Sequence, residues 1–153
     1  MSGYIGTDHI SFTVADIERS LVFYRDILGL PVIADQKPGH AHHSRLTGFA
    51  GAQLRTVFLA LPGVSTKLGL VQYIEPRGEP QELATHKIGD AHICLEVTDI
   101  HRVYEEWRDK GAHFNSEPIR SGTGLNKGSF TVYLTDPDGI TVQLLQRPRR
   151  EDG

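Results

Sequence analysis

Hydrophobic and polar residues alternate along two short stretches of this chain, "HISFTV" at residues 9–14 and "HICLEV" at residues 92–97. A period of two predicts β-strands that each have one apolar face and one polar face. An aspartate follows each stretch, Asp16 or Asp99, and suits the N-cap of a helix. Apolar residues then recur at helical spacing until a glycine, so each strand is expected to lead into a short amphipathic helix.

These two stretches belong to a longer internal repeat. Residues 9–26 and 92–109 align without gaps and share eight identities in 18 positions, among them His9 with His92 and Asp16 with Asp99. A repeat indicates two similar modules, neither of which buries its apolar face alone.

More strand-like runs follow each predicted helix. They are "LPVIAD", "LRTVFLALP" and "KLGLVQYIE" in the first half, and "SFTVYLT" and "ITVQLLQ" in the second. The turn-forming "TDPDGI" makes residues 129–146 a predicted hairpin. The pattern predicts an α+β fold of two modules, at about residues 5–76 and 88–147, in a single domain over residues 1–147. Residues 148–153 are expected to form a flexible tail.

The polar faces of the first strands are the candidate site. If the apolar residues pack beneath the helix, the alternate residues face the other side of the sheet. They are His9, Ser11 and Thr13 in the first module and His92, Cys94 and Glu96 in the second. A pseudo-two-fold relation between the modules is expected to bring both faces around one cavity, with His9 and His92 as structural equivalents.

Charge and composition exclude several classes of partner. The chain has 16 basic and 19 acidic residues, a formal net charge of -3 and no long block of like charge, which gives no indication of a nucleic-acid or membrane surface. No apolar run approaches the roughly 20 residues of a membrane span. The single cysteine, Cys94, cannot form an internal disulfide, and the N-terminus lacks signal-peptide features, so we expect a soluble, cytoplasmic protein.

The last strands of the two modules can be aligned in two ways. "LGLVQY" from Leu68 and "VQLLQR" from Val142 share a form that matches Gly69 with Gln143. A rival register matches Gln72 with Gln143, and both remain open from the sequence alone.

Together these segments resemble the vicinal oxygen chelate superfamily, which includes glyoxalase I, methylmalonyl-CoA epimerase, extradiol dioxygenases and bleomycin-resistance proteins. The resemblance covers about residues 5–147 and lies in four segments. They are "DHISFTVADIERSLVFYRDILGL", "LGLVQYIEP", "GDAHICLEVTDIHRVYEEWRDKGAHF" and "VYLTDPDGITVQLLQ". It implies paired βαβββ modules whose sheets curve around a central cavity and a divalent metal.

The resemblance places metal ligands on His9 and His92 and the two remaining ligand positions on Gly69 and Gln143. Because Gly69 has no side chain, its corner is expected to be empty or filled by water. Gln143 is neutral and cannot serve as a general base. Imidazoles accept Fe, Ni, Co, Zn or Mn, so the identity of the ion stays open. Gln72 is a poor substitute ligand, since in the favoured register it points away from the face of Gly69.

Two other residues are candidates for catalysis. Glu96 shares the face of His92 and is interpreted as lying two residues from it, about 7 Å along the strand. It is expected to act as a hydrogen-bond partner or as a base, or else it is solvated at the end of the sheet. Tyr73 shares the face of Gly69 and could donate a hydrogen bond to a substrate oxygen. Cys94 is interpreted as a small buried filler.

Two loops have suggestive composition. The histidines of "KPGHAHHSR", His40, His42 and His43, resemble a metal tract, but a solvated or lid loop is the favoured interpretation. The glycine-rich residues 121–128 could bind an anion or simply connect two strands of a hairpin.

The leading functional hypothesis is a metal-dependent lyase or isomerase of the glyoxalase/epimerase type, acting on a small oxygenated metabolite or thioester. An extradiol-type dioxygenase and a metal-free, bleomycin-resistance-type binding protein are the alternatives. The resemblance also implies a homodimer.

Overall fold

Two units, divided between Gln81 and Glu82, make up the computed structural model, which describes residues 3–39 and 42–148. Each unit contains one mixed sheet and one main helix in the order βαβββ. The predicted α+β class is therefore confirmed, and the division lies between the two predicted modules.

The first unit begins with an edge strand and a helix and ends with a meander. Its elements are β1 (His9–Thr13), α1 (Ile17–Leu21, continued by a π-helical segment, Val22–Ile27), β2 (Val32–Gln36), α2 (His43–Thr47), β3 (Gln53–Ala60) and β4 (Lys67–Glu75). The strand order is β1-β4-β3-β2, in which only the β1–β4 pair is parallel. Strand β4 thus lies between the edge strand β1 and strand β3.

The second unit repeats this arrangement and adds one short strand. Its elements are β5 (His92–Glu96), α3 (Ile100–Asp109), β6 (His113–Phe114), β7 (Ile119–Arg120), β8 (Phe130–Thr135) and β9 (Thr141–Gln146). Strands β5, β9, β8 and β6 are neighbours in that order, β7 also pairs with β8, and only β5–β9 is parallel. The antiparallel β8–β9 pair confirms the predicted hairpin.

Both predicted N-caps are present. The Asp16 carboxylate accepts from the backbone N–H of Arg19 at 3.0 Å, and Asp99 accepts from that of Arg102 at 3.1 Å. Each cap satisfies an N–H group that has no partner within its helix. The same residue type therefore starts both helices for the same reason.

The core of each unit lies between its helix and one face of its sheet. In the first unit Ile17, Leu59 and Leu70 are fully buried, and in the second Ile100 and Leu144 are. One expectation was wrong: Ile10 is 44% exposed, although its repeat partner Ile93 is buried. Ile10 and Ile93 both lie on edge strands, β1 and β5, so the edge position does not account for the difference.

A cluster of charged side chains connects helix α1 to the first sheet through ion pairs. The Arg55 guanidinium donates to the Asp35 carboxylate at 3.0 and 2.9 Å and to Glu18 on the helix at 2.6 Å. Lys37 donates to Asp35 at 2.7 Å. The Arg55 hydrogen bond, followed by that of Lys37, lowers the pKa of Asp35 from 3.8 to about 2.

Asp35→Asn is expected to destabilise the protein by roughly 1–2 kcal/mol at pH 7, since part of the ion pair is screened by water. Because the pKa of Asp35 is lower in the folded state, this contribution is complete above about pH 4 and is lost as the pH falls through 2. Urea unfolding of both proteins should show the difference falling by about half at pH 3. Asp109→Asn, which alters a more exposed pair with Arg108, is the control. A difference that does not change with pH would contradict the prediction.

No helix among the described residues combines the length and the apolar character that crossing a membrane requires.

Candidate functional site

The strand register of the first unit places four site residues on one face. Across the parallel β1–β4 pair His9 is opposite Lys67 and Ser11 is opposite Gly69, and Gly69 is also opposite Phe58 on β3. Residues directly opposite each other in a sheet point to the same side. His9, Ser11 and Lys67 therefore share the face of Gly69, with Phe58 beside them.

His9 is held by an acidic neighbour. Its Nδ1 lies 2.7 Å from the Asp8 carboxylate, whose other oxygen accepts from the Lys67 ammonium at 2.7 Å. The edge of the His9 ring also contacts Phe58, with centroids 5.3 Å apart. The hydrogen bonds from Lys67 and His9 lower the pKa of Asp8. An imidazole whose Nδ1–H is bound to a carboxylate presents Nε2 as its lone-pair nitrogen, as metal-ligating histidines do.

The corner at Gly69 is not empty, contrary to the sequence-based expectation. A Cβ built on Gly69 would overlap the Ser11 hydroxyl and would lie 3.2 Å from the Phe58 ring. The position that carries a ligand in the family is therefore filled from the neighbouring strand. The hydroxyl of Ser11 takes the place of a side chain at position 69.

In the second unit the corresponding face carries His92 and Gln143. Cys94 is opposite Gln143 across β5–β9, Tyr133 is opposite Gln143 across β8–β9, and the rings of His92 and Tyr133 are 5.6 Å apart. This arrangement places the imidazole, the thiol and the amide on the same side of the sheet.

Hydrogen bonding decides how the Gln143 amide is oriented. The Thr131 hydroxyl donates to the carbonyl of Leu144 at 2.9 Å, so it can only accept from Gln143, whose Nε2 lies 2.8 Å away. The amide nitrogen is thereby engaged, and Oε1 is the atom left to bind a ligand or an ion.

Two glutamines settle the register of the last strands. Gln72 accepts from the backbone N–H of Ile17 at 3.1 Å, and Gln146 accepts from that of Ile100 at 2.7 Å. Because both cap the main helix of their unit, Gln72 is the equivalent of Gln146. The favoured register, which matches Gly69 with Gln143, is confirmed, and Gln72 points to the helix side as expected.

Glu96 is farther from His92 than the sequence-based interpretation assumed. Glu96 is four positions beyond His92 on strand β5, with Cys94 between them on the same face, which corresponds to about 13 Å along the strand. The carboxylate of Glu96 instead accepts from the Arg147 guanidinium at 3.1 Å. Glu96 is therefore held at the end of the sheet and not beside His92.

Tyr73, the candidate hydrogen-bond donor, and Cys94, the expected buried filler, have surroundings that the sequence did not indicate. Tyr73 is four residues beyond Gly69 on strand β4, and its ring meets that of Phe49 edge-on, with centroids 6.2 Å apart. Cys94 is exposed, so its assignment as a buried filler was wrong. Partial burial nevertheless raises the pKa of its thiol, which makes it a weak nucleophile at neutral pH.

The histidine-rich segment is more structured than a solvated loop. His43 is buried at the start of helix α2, and the rings of His42 and His43 are 4.6 Å apart. His40 lies outside the described residues.

The glycine-rich segment connects strands β7 and β8. Its backbone folds on itself through hydrogen bonds such as that from Gly128 N–H to the Ser121 carbonyl at 2.8 Å, as the hairpin interpretation requires.

The donor atoms suit a divalent ion only in part. His9 in the first unit offers an imidazole, and His92 and Gln143 in the second offer an imidazole and an amide oxygen, each an acceptable ligand for Fe, Ni, Co, Zn or Mn. Among the described residues, however, no three His, Cys, Asp or Glu side chains come together as a metal site. The candidate ligands of each unit thus include no anionic side chain.

The sequence did not indicate a functional role for three residues of the first unit: Asp8, Ser11 and Lys67. Ser11 had been placed on the correct face without a role. The signal for Lys67 was its position two residues before Gly69, on the same face of a predicted strand.

Comparisons with known proteins agree with this fold. The profile of the Glyoxalase/Bleomycin resistance protein/Dioxygenase superfamily matches residues 6–144. A probable lactoylglutathione lyase of Synechocystis sp. is 26% identical over 147 residues, which cover 94% of this chain and 97% of that protein. The lactoylglutathione lyase of Arabidopsis thaliana is 25% identical over 140 residues and 91% of this chain, and the match covers 43% of its own length.

Two solved structures are also similar. A glyoxalase family protein from Bacillus cereus superposes with a TM-score of 0.82 at 16% identity, over 97% of this chain and 99% of that one. TnmS3, an antibiotic binding protein from Streptomyces sp., superposes with a TM-score of 0.66 at 21% identity, over 97% and 100% of the two chains. The profile match and the repeated βαβββ fold show that the chain belongs to the Glyoxalase/Bleomycin resistance protein/Dioxygenase superfamily.

Proposed function

We propose that this protein is a metal-dependent lyase or isomerase of the glyoxalase/epimerase type, which acts on a small oxygenated metabolite or thioester. The observation that carries the proposal is the His9–Asp8 hydrogen bond, which leaves Nε2 of an exposed, sheet-face imidazole free to bind an ion. The equivalence of His92 in the repeat and the relatives named lactoylglutathione lyase support the same function.

His9, His92 and Oε1 of Gln143 would hold the ion. When bound, the ion would supply Lewis-acid polarisation of a substrate oxygen. Because none of the three ligands is anionic, its affinity is expected to be lower than that of a set with a carboxylate. Asp8 keeps His9 in the required tautomer, and Thr131 keeps the Gln143 amide turned so that its oxygen is presented.

Proton transfer would require a base other than the side chains at positions 69 and 143. We propose Glu96 and Tyr73 as the groups that contact the substrate, each about four residues along its strand from a ligand position. The Glu96 carboxylate, which accepts from the Arg147 guanidinium at 3.1 Å, would serve to orient a substrate.

A metal-free binding protein is the second candidate. The observation that favours it is the Gly69 corner, where Ser11 replaces an anionic ligand. The similar fold of TnmS3, described as an antibiotic binding protein, is compatible with this role. An extradiol-type dioxygenase is the third and the least favoured, because it would need Fe or Mn held without any anionic ligand. For either enzyme we propose a homodimer.

Metal analysis of protein purified without chelators tests the proposal. We expect stoichiometric divalent metal in the wild-type protein, and at least a tenfold loss in His9→Ala and in His92→Ala. His86→Ala, which removes an exposed histidine from the segment before β5, is the matched control and should retain the metal. Circular dichroism and thermal unfolding of each variant establish that the fold is intact.

A folded wild-type protein that binds no divalent metal would exclude both enzymatic functions and favour the binding protein. If metal is present, its identity together with oxygen consumption separates the lyase or isomerase from the dioxygenase.

A further inference from the structure

The two modules differ at equivalent positions beside their first-strand histidines. His9 is opposite Lys67 in the first module, whereas His92 is opposite Thr141 in the second. Asp8, which pairs with Lys67 at 2.7 Å, has Ala91 as its equivalent. The first module thus has an ion pair where the second has uncharged side chains. The internal repeat makes this a difference between two copies of the same framework.

The Lys67 ammonium has unused hydrogen-bonding capacity. It carries three N–H donors. Within residues 3–39 and 42–148, only Asp8 accepts from Nζ. The side chain is 30% exposed, and Nζ lies 5.8 Å from the centroid of the Phe58 ring, which shields one side of it from water. A cation beside an apolar surface binds an anion more strongly than one fully surrounded by water.

Asp8 offsets the charge of Lys67 but accepts from only one of its three N–H donors. One oxygen of Asp8 accepts from Lys67 and the other from His9, so both are engaged with donors on the same face. The carboxylate therefore holds the two side chains in place, and an incoming anion would meet the remaining donors of Lys67.

Ser11 and Gly69 complete the space next to Lys67. Gly69 is two residues from Lys67 on strand β4, about 7 Å away on the same face, and the space where its side chain would lie is taken by the Ser11 hydroxyl. This hydroxyl can donate a hydrogen bond to an oxygen of an anion that Lys67 binds.

We propose that Lys67, together with the Ser11 hydroxyl, binds an anionic group, carboxylate or phosphate, of the substrate beside His9. This inference rests on the proposed function. It names the class of substrate, a small molecule whose anionic group would lie next to the oxygens that the metal would bind. Lys67 then determines specificity for an anionic substrate, because its ammonium is the cationic group beside His9.

Two matched probes test this site. Methyl pyruvate is the methyl ester of pyruvate and lacks the charge of its carboxylate, and inorganic phosphate represents the alternative anion. Dissociation constants are measured by ligand-observed NMR at constant ionic strength, using protein as purified whose metal content has been determined. Lys67→Met removes the cation and Lys67→Arg retains it. Lys37→Met, at an ion-paired lysine of the same unit, is the control for the change in net charge.

We expect Lys67→Met to weaken the binding of pyruvate or phosphate at least tenfold and to change that of methyl pyruvate less than twofold. Lys67→Arg should remain within threefold of the wild type, and Lys37→Met should be unchanged. Which anion binds more tightly identifies the group as a carboxylate or a phosphate.

Equal binding of pyruvate and methyl pyruvate by the wild type, or unchanged anion affinity in folded Lys67→Met, would overturn the proposal. These outcomes are separate from failure of the proposed function. Anion binding that depends on Lys67 in a metal-free protein would support the anion site and contradict the metal-dependent enzyme. Stoichiometric metal together with anion binding that does not depend on Lys67 would support the enzyme and contradict the anion site.

Discussion

Gln143→Glu is expected to tighten the binding of divalent metal at least tenfold. The substitution replaces a neutral amide oxygen by a carboxylate at the same position on strand β9, and carboxylates bind hard and borderline divalent ions more strongly than amides do. The Thr131 hydroxyl, which now accepts from the amide at 2.8 Å, can rotate to donate to the new carboxylate. Competition with a fluorescent chelator measures the change in affinity.

Gln146→Glu is the matched control for this experiment. It makes the same chemical change on the same strand, but Gln146 points to the helix side and caps the N-terminus of α3 through Ile100. Its metal affinity should stay within twofold of the wild type. Equal affinities of the wild type and Gln143→Glu would show that Gln143 does not contact the metal.

Truncating Leu70 to Ala is expected to lower the free energy of unfolding by about 2–5 kcal/mol. Leu70 is fully buried on strand β4 and points to the core beneath α1, because the alternate residues Gly69 and Val71 face the site side. Leu144 is its equivalent on β9, is also fully buried, and should show a loss of the same size. Urea unfolding of the single variants provides the values.

Leu125→Ala is the control, since it removes the same atoms from a side chain that is 95% exposed. It should change the unfolding free energy by less than about 0.5 kcal/mol. A loss below about 1 kcal/mol in Leu70→Ala would contradict the assignment of this face of β4 to the core.

Local patterns in the sequence predicted the longer elements but not the short α2, β6 and β7. Alternation predicted the strands, and Asp16 and Asp99 predicted the helix starts, because an aspartate at an N-cap acts on N–H groups only two or three residues away. The exposed Ile10 was mispredicted, since period two separates the two faces of a strand without stating how completely either face is covered.

The candidate site was predicted less completely. The alternation of side chains along the strands and the internal repeat predicted which sheet face carries each candidate ligand position. The structure places all four on the predicted faces: His9, His92, Gly69 and Gln143. The distance assumed between His92 and Glu96 was wrong, because four residues on one strand are too far apart for contact. The pairing of Glu96 with Arg147 joins residues that are 51 positions apart, which no local pattern reveals.

By itself, the sequence determined the two-module architecture, the helix caps and the paired histidines, because each depends on periodicity or on interactions between near neighbours. Only the tertiary structure decided what surrounds the histidines. The pairing of β1 with β4 places Lys67 opposite His9 and the Ser11 hydroxyl in the space at Gly69. The pairing of β8 with β9 lets Thr131 accept from the Gln143 amide nitrogen, which orients the amide oxygen away from Thr131. These contacts depend on strand register between distant segments, which sets the chemical character of the site.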